Sequence, residues 1–439
     1  MPAIRHELDE FLRIPSVSTG GGNAPALKRA AEWVCERIEG AGGEAGLVAL
    51  DGSHPMAIGE LRSTRPDAPT VLAYGHHDVQ DAGPLDAWQS PPFEPTEREG
   101  RLYARGAADD KGNFLPLLHV GCELARAGEL PVHVRFLVEG EEEIGSAAAM
   151  RWIRDDERGA DCALVFDSGM LDERTPAITV AMRGLVGVSI DVRTAARDVH
   201  SGVYGGTVLN AAHVLATMLA EVMPGPDGRV RLELSAGVEP VGPDEREGWA
   251  RLPPGDEVIA RVGARAVAAE AGAQFYERTG ASTALDVNEI KVGEPRTIVP
   301  ATAHAHLTAR LAGGQSAAEI AAEIERLLRA AAPAGAEVSL EFDLAEPAVF
   351  DPSRPALQLA ARAMERACGT APVFVRGGGT IPVLAELSRR GIDAVATGFS
   401  TDDDAYHAPN ESYRLESLRL GEASARELYL ALADLPRSR

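Results

Sequence analysis

Leu27, Ala30, Ala31, Val34 and Ile38 recur on one helical face from about Ala24 to Gly40, and Gly40, Gly42 and Gly43 then break the period. This pattern predicts an amphipathic opening helix. Three short apolar runs follow, Val71 to Tyr74, Val132 to Val138 and Cys162 to Phe166. Helical spacing separates them, as with Phe114, Leu115, Leu117, Leu118, Gly121, Leu124 and Ala125. The alternation predicts an α/β layer with a mainly parallel sheet. From about Arg183 the period changes to two, in Val186, Val188, Ile190 and Val192. A helix from Thr207 to Met223, a Pro- and Gly-rich loop, strands at Leu285 to Val292 and His304 to Leu311, a helix at Ala317 to Ala331 and a strand at Val338 to Phe342 complete an inserted α+β module. After Pro352 the first pattern returns, with a helix at Ala356 to Cys368, a strand at Val373 to Val375, a helix at Ile381 to Arg390, a strand at Ala394 to Thr397 and a terminal helix to Leu435. The expected organisation is a discontinuous α/β domain, 1–182 and 347–439, around an insert at 183–346.

The chain has 439 residues, and 45% hydrophobic content is enough for two cores. Its net charge of −23, with no long basic run, argues against nucleic acid or an anionic membrane as partner. Cys35, Cys122, Cys162 and Cys368 are far apart and unpaired in pattern, which predicts neither a disulfide framework nor a thiolate metal site. The charged start and the lack of a long apolar run support neither a signal peptide nor a membrane span, so the expected location is cytoplasmic.

In a parallel sheet, ligands bind beyond the carboxyl ends of the strands, so the residues just past each strand carry the chemistry. Past the first come His76 and Asp78, on one side if the chain stays extended; His77 then faces the other way. One could bind a metal while the other orients the imidazole. Asp109 and Asp110 stand at a helix mouth, read alternatively as an Asp N-cap with an acidic neighbour. Glu139-Gly-Glu-Glu-Glu-Ile-Gly145 follows the second strand, and alone would be a solvated acidic loop. Asp167 follows the third strand, and His407 follows an acidic loop after Thr397. Imidazoles and hard oxygens from separate strand ends suit two divalent ions, with a spare Glu as base.

His76-x-Asp78, Ala107-Ala-Asp-Asp-Lys-Gly112, Glu142-Glu-Ile-Gly145, Asp167 and His407-x-x-Asn-Glu411, in that order, resemble the M20 family of dinuclear zinc peptidases and aminoacylases. The resemblance spans nearly the whole chain and implies a zinc-peptidase catalytic domain with a ferredoxin-like lid and dimerisation insert. It implies His76 and Asp167 on one metal, Glu143 and His407 on the other, and Asp109 bridging both, ahead of a cis Asp109–Asp110 peptide. Glu142 matches the general acid/base and Asp78 the carboxylate that orients the His ligand. Asp198-Val-His-Ser-Gly-Val-Tyr-Gly-Gly206 resembles the segment whose His, here His200, enters the partner subunit's site in dimeric members. Arg310 matches the substrate-carboxylate ligand, with an exposed strand Arg as the competing reading. Gly377-Gly-Gly-Thr380 resembles a substrate loop (Gly378, Gly379, Thr380), and Asn288 is a further substrate candidate. Asp-Val-Gln after His76 and Ser-Gly-Val-Tyr-Gly-Gly after His200 resemble the dipeptidase branch that includes carnosine dipeptidases; His77 stands where that branch commonly has Leu. The expectation is a cytoplasmic homodimer that hydrolyses dipeptide-like amides with two ions, Zn2+ first and Mn2+ or Co2+ as alternatives. An N-acyl-amino-acid deacylase and a catalytically silent metal-binding relative are the alternative readings.

Overall fold

A computed structural model describes residues 2–50, 52–379 and 381–436. Thr380, one of the expected substrate contacts, lies outside the described residues. The chain divides into two compact units: Met1–Val180 with Phe350–Val375 and Pro382–Arg439, and Ala181–Val349 with Arg376–Ile381. The glycines Gly377–Gly379, read from sequence as part of the α/β domain, therefore group with the second unit.

The first unit is built on a sheet whose strands run in the order Glu44–Val48, Met56–Leu61, His133–Glu139, Thr70–His76, Cys162–Phe166, Ala394–Thr397, Ala177–Met182. The four from His133–Glu139 to Ala394–Thr397 are parallel. Their side chains are almost all buried, so they read as continuous apolar runs rather than as alternation. The outer pair Glu44–Val48 and Met56–Leu61 is antiparallel, and it escaped the sequence reading. Glu44–Val48 is largely exposed, and an edge strand with one open side needs no apolar run to announce it.

Because the central strands are parallel, His76, Glu139, Phe166 and Thr397 end at the same edge of the sheet. The helix Lys111–Ala127 packs on this sheet and buries Phe114, Leu115, Leu117, Leu118 and Leu124. Its first turn lies so close to the His76 strand that a Cβ at Gly75 would sit 2.3 Å from the Phe114 ring. That close approach requires glycine one residue before His76.

In the second unit the strands run in the order Ala284–Val292, Thr302–Leu311, Gly184–Arg193, Glu337–Ala345, all antiparallel. With helices Ala211–Ala220 and Ala317–Ala331 between them in sequence, this is a ferredoxin-like βαββαβ arrangement. Val186, Val188, Ile190, Val192, Leu307 and Leu311 form its core with Val214, Leu215, Ile320 and Ile324 from those helices. The Pro- and Gly-rich stretch expected to be a loop contains three short helices, Pro243–Trp249, Gly255–Arg261 and Phe275–Gly280. Pro243 enters the first at a position where a missing N–H costs nothing, which is how a proline-rich segment is still helical.

Candidate active site

Asp109 lies between two imidazoles. Its Oδ1 is 3.0 Å from His76 Nε2 and its Oδ2 is 2.8 Å from His407 Nε2. Two groups of ligand-type atoms meet at this carboxylate: His76, Asp109 and Asp167 in one, and Asp109, Glu143 and His407 in the other. Each group draws its atoms to within 4.8 Å of one another. The elements explain the convergence. His76 ends its strand and Asp167 follows Phe166, while Asp109 precedes the helix that starts at Lys111. Glu142 and Glu143 lie on a short 3-10 turn, Glu142–Ile144, just beyond the strand ending at Glu139. The Asp109–Asp110 peptide is cis.

Asp78 supports the site on several sides. Its backbone carbonyl accepts from His76 Nδ1 at 3.0 Å, and its Oδ1 lies 3.4 Å from the same nitrogen. The shorter contact is therefore to the main chain rather than to the carboxylate expected from sequence. The Asp78 carboxylate accepts instead from Ser18 Oγ (2.6 Å) and from the backbone N–H groups of Glu142 (3.3 Å) and Glu143 (3.2 Å). It thus orients the turn that carries the two glutamates. Gln80 Nε2 donates to Glu143 Oε2 at 2.8 Å. His77 is fully buried and turned away, its Nε2–H donating to the Pro55 carbonyl at 3.0 Å while Nδ1 has no partner.

The electrostatics follow from crowding carboxylates in a buried space. Burial pushes the Glu142 carboxyl up to about 7, against the pull of His76 and with repulsion from Asp109 and Glu143 adding to it. Burial and the neighbouring Asp110 and Glu142 raise Asp167 well above the carboxylate range. Burial also works against the ionised form of Asp109, but hydrogen bonds from His407 and His76 outweigh it and hold this carboxyl well below that range. Hydrogen bonds to Asp109 and Glu143 raise His407 to about 10. Glu143 Oε1 is buried without a hydrogen-bond partner. A surplus of buried carboxylates, one with an orphaned oxygen, around two imidazoles fits a pair of divalent cations, which would supply the missing positive charge. A third cluster, His119, Glu123 and Glu422, differs because protein groups already engage it: Glu7 sits 2.7 Å from His119, and Arg426 sits 2.7 Å from Glu123.

The remaining sequence candidates belong to the second unit. His200 is exposed, and its Nδ1 accepts from Gly202 N at 3.0 Å. Arg310 is half-buried on the open face of the sheet, opposite the alternation that buries Ala305, Leu307, Ala309 and Leu311. Asn288 stands at a β-bulge between Val287 and Glu289, a device that re-aims a side chain. Gly378 and Gly379 are exposed, and Arg183 Nε donates to the Gly378 carbonyl at 3.4 Å. Ser18, Gln80 and Glu411 went unassigned in the sequence; Gln80 and Glu411 stood inside quoted motifs without a role, and nothing near Ser18 signals one.

The family description "Peptidase family M20/M25/M40" matches residues 72–431. A cysteinylglycine-S-conjugate dipeptidase of Corynebacterium striatum is 30% identical over 443 aligned residues, covering 96% of this chain and 94% of that protein. The human Beta-Ala-His dipeptidase is 35% identical over 174 residues, covering 38% of this chain and 34% of that protein. Among solved structures, an M20 family metallo-carboxypeptidase from Sulfolobus solfataricus superposes with a TM-score of 0.85 at 25% identity, covering 99% of this chain and 100% of that one. A match over most of the chain, joined to whole-length similarity to a named dipeptidase, leaves one assignment: the chain belongs to peptidase family M20/M25/M40.

Proposed function

We propose that this peptidase hydrolyses dipeptides through a site centred on Asp109. The observation that carries the reading is the division of Asp109 between His76 and His407, with the raised carboxyl of Glu142 beside it. In this reading His76, Asp109 and Asp167 hold one divalent ion, and Asp109, Glu143 and His407 hold the other. Such ions supply Lewis-acid polarisation of a carbonyl and make a water molecule acidic near neutral pH. Glu142 takes a proton from the attacking water and returns it to the leaving amine, a task suited to a carboxyl pushed toward 7. Asp78 fixes the His76 ring and the Glu142 turn. His200 stabilises the developing oxyanion, supplied by a partner copy in a homodimer. Arg310, Asn288 and the Gly378–Thr380 loop hold the free carboxylate end, which selects small substrates.

Support for dipeptides comes from the two dipeptidase relatives, and support for zinc comes from the mixed imidazole and carboxylate donors. Four unbridged cysteines accord with a cytoplasmic location, and no helix among the described residues is long and apolar enough to cross a membrane.

The test is a mixed panel of dipeptides, longer peptides and N-acyl amino acids incubated with zinc-loaded protein and followed by mass spectrometry. Loss of the dipeptides first is the expected result. Loss of longer peptides from their C-termini would make it a carboxypeptidase, like the Sulfolobus relative. Loss of acyl compounds alone would make it a deacylase, and no loss with two ions bound would favour the silent relative.

A further inference from the structure

We infer that Glu411 is a positioning residue for one of the two candidate ion groups, clamping the loop that carries Asp109 to the segment that carries His407. The inference rests on the reading of Asp109, Glu143 and His407 as ligands of one ion. Glu411 is fully buried, and each carboxylate oxygen takes two donors. Oε2 accepts from Arg105 Nη1 at 2.8 Å and Gly106 N at 2.9 Å; Oε1 accepts from Ala108 N at 2.8 Å and Asp109 N at 3.1 Å. A single side chain thus gathers the main-chain donors of the loop leading to Asp109. Arg105 is buried too, supplies the opposing charge, and is anchored by the Asp81 carbonyl at 3.0 Å and by the Trp88 ring. From the opposite direction, Asn113 Nδ2 holds the Ala108 carbonyl at 2.9 Å.

The clamp reaches both ion groups through Asp109, but it bears on two ligands of the second, Asp109 and His407, and on only one of the first. His76 ends a central strand and Asp167 follows the next one directly, so the sheet sets their separation. Asp109 and His407 lie 298 residues apart, and the nearest strand pairing between their segments, Arg101–Tyr103 with Ser412–Arg414, stops short of both residues. The His407 segment is irregular, with Ala405, His407 and Asn410 all at positive φ, between 54° and 65°. Residues other than glycine persist there only when tertiary contacts hold them. Asn410 ties the segment to the Ala87 carbonyl and the Gln89 amide, both at 2.8 Å. Beyond that strand pair the Glu411 side chain carries the tie on to the Asp109 loop, four residues from His407 in one direction and one hydrogen bond from Asp109 in the other.

The test is Glu411→Gln, which keeps the size but sets an NH2 group against backbone N–H donors. Zinc binding is followed by calorimetry and by metal analysis, beside Tm and steady-state kinetics. The wild type is expected to bind two ions per chain. In the variant, one affinity should fall roughly 10- to 100-fold, the range seen when a partner of a metal ligand is removed, while the other stays within a few-fold. The kcat should fall with KM little changed, and Glu411→Asp should restore part of the loss. Arg105→Lys, which keeps the charge but loses the fork, should give a smaller selective loss and covers the case in which Glu411→Gln does not fold. Two unchanged affinities, or two that fall together in step with Tm, would overturn the inference. A wild type that binds fewer than two ions would overturn the two-ion reading, and the clamp with it.

Discussion

His76 has no exposed surface, and both of its ring nitrogens face oxygen acceptors, whereas His200 is exposed and its Nδ1 contact is local, to Gly202. The same contrast runs through each unit. In the first, Asp78, Asp109 and Glu143 are held by partners from distant parts of the chain, namely Ser18, His407 and Gln80. In the second, Asn288 and the Gly378–Gly379 segment are exposed and Arg310 is half-buried. The first unit is arranged before any substrate arrives, at the cost of crowding carboxylates. The second carries candidate residues that await something to contact. Preorganisation of this kind is what an ion pair and a proton-transfer group require, while substrate-binding residues tolerate rearrangement.

The largest effect expected from breaking this contrast is at Glu142. Glu142→Gln should lower kcat by roughly 10²- to 10⁴-fold, the range for loss of a general acid/base, with two ions still bound. If bound zinc is lost in proportion to activity, Glu142 is a ligand rather than the base. Next comes His200→Asn, expected to lower kcat by roughly 10²-fold with Tm unchanged, because the side chain is exposed and supports no packing. Mixing it with Glu142→Gln should recover activity in hybrid dimers; no recovery would place His200 outside a partner's site.

The smallest effect is on stability. Burial lowers His77 to about 4, so the folded protein holds this ring neutral. Its contribution is complete above the ordinary value near 6.5 and is lost as pH falls from there to about 4, by at most about 3 kcal/mol. Denaturant titrations of wild type and His77→Gln should therefore diverge across that window, with turnover near neutral pH within about twofold. Parallel curves would mean that His77 is not held neutral.

The elements that position the site were legible because a buried parallel strand announces itself as an apolar run, and the residue after it is then easy to inspect. Cys162 to Phe166 and Ala394 to Thr397 were read with their observed boundaries. What escaped was work done by the main chain. Glu411 stands inside a motif, but three of its four donors are backbone amides, which a sequence does not display. The Asp78 carbonyl on His76 is hidden for the same reason. Ser18 was invisible because 60 residues separate it from the carboxylate it serves. The short helices between Pro243 and Gly280 were masked by prolines and glycines that more often mark loops.

The discontinuity of the first unit sets an order of events during synthesis. Asp109 leaves the ribosome 298 residues before His407, an interval of roughly 15 to 60 s at about 5 to 20 residues per second. For nearly all of that interval the sheet lacks Ala394–Thr397, and throughout it the acidic pocket lacks one of its two imidazoles and the Glu411 clamp. On the two-ion reading, a nascent chain therefore lacks a complete site until almost all of it has emerged.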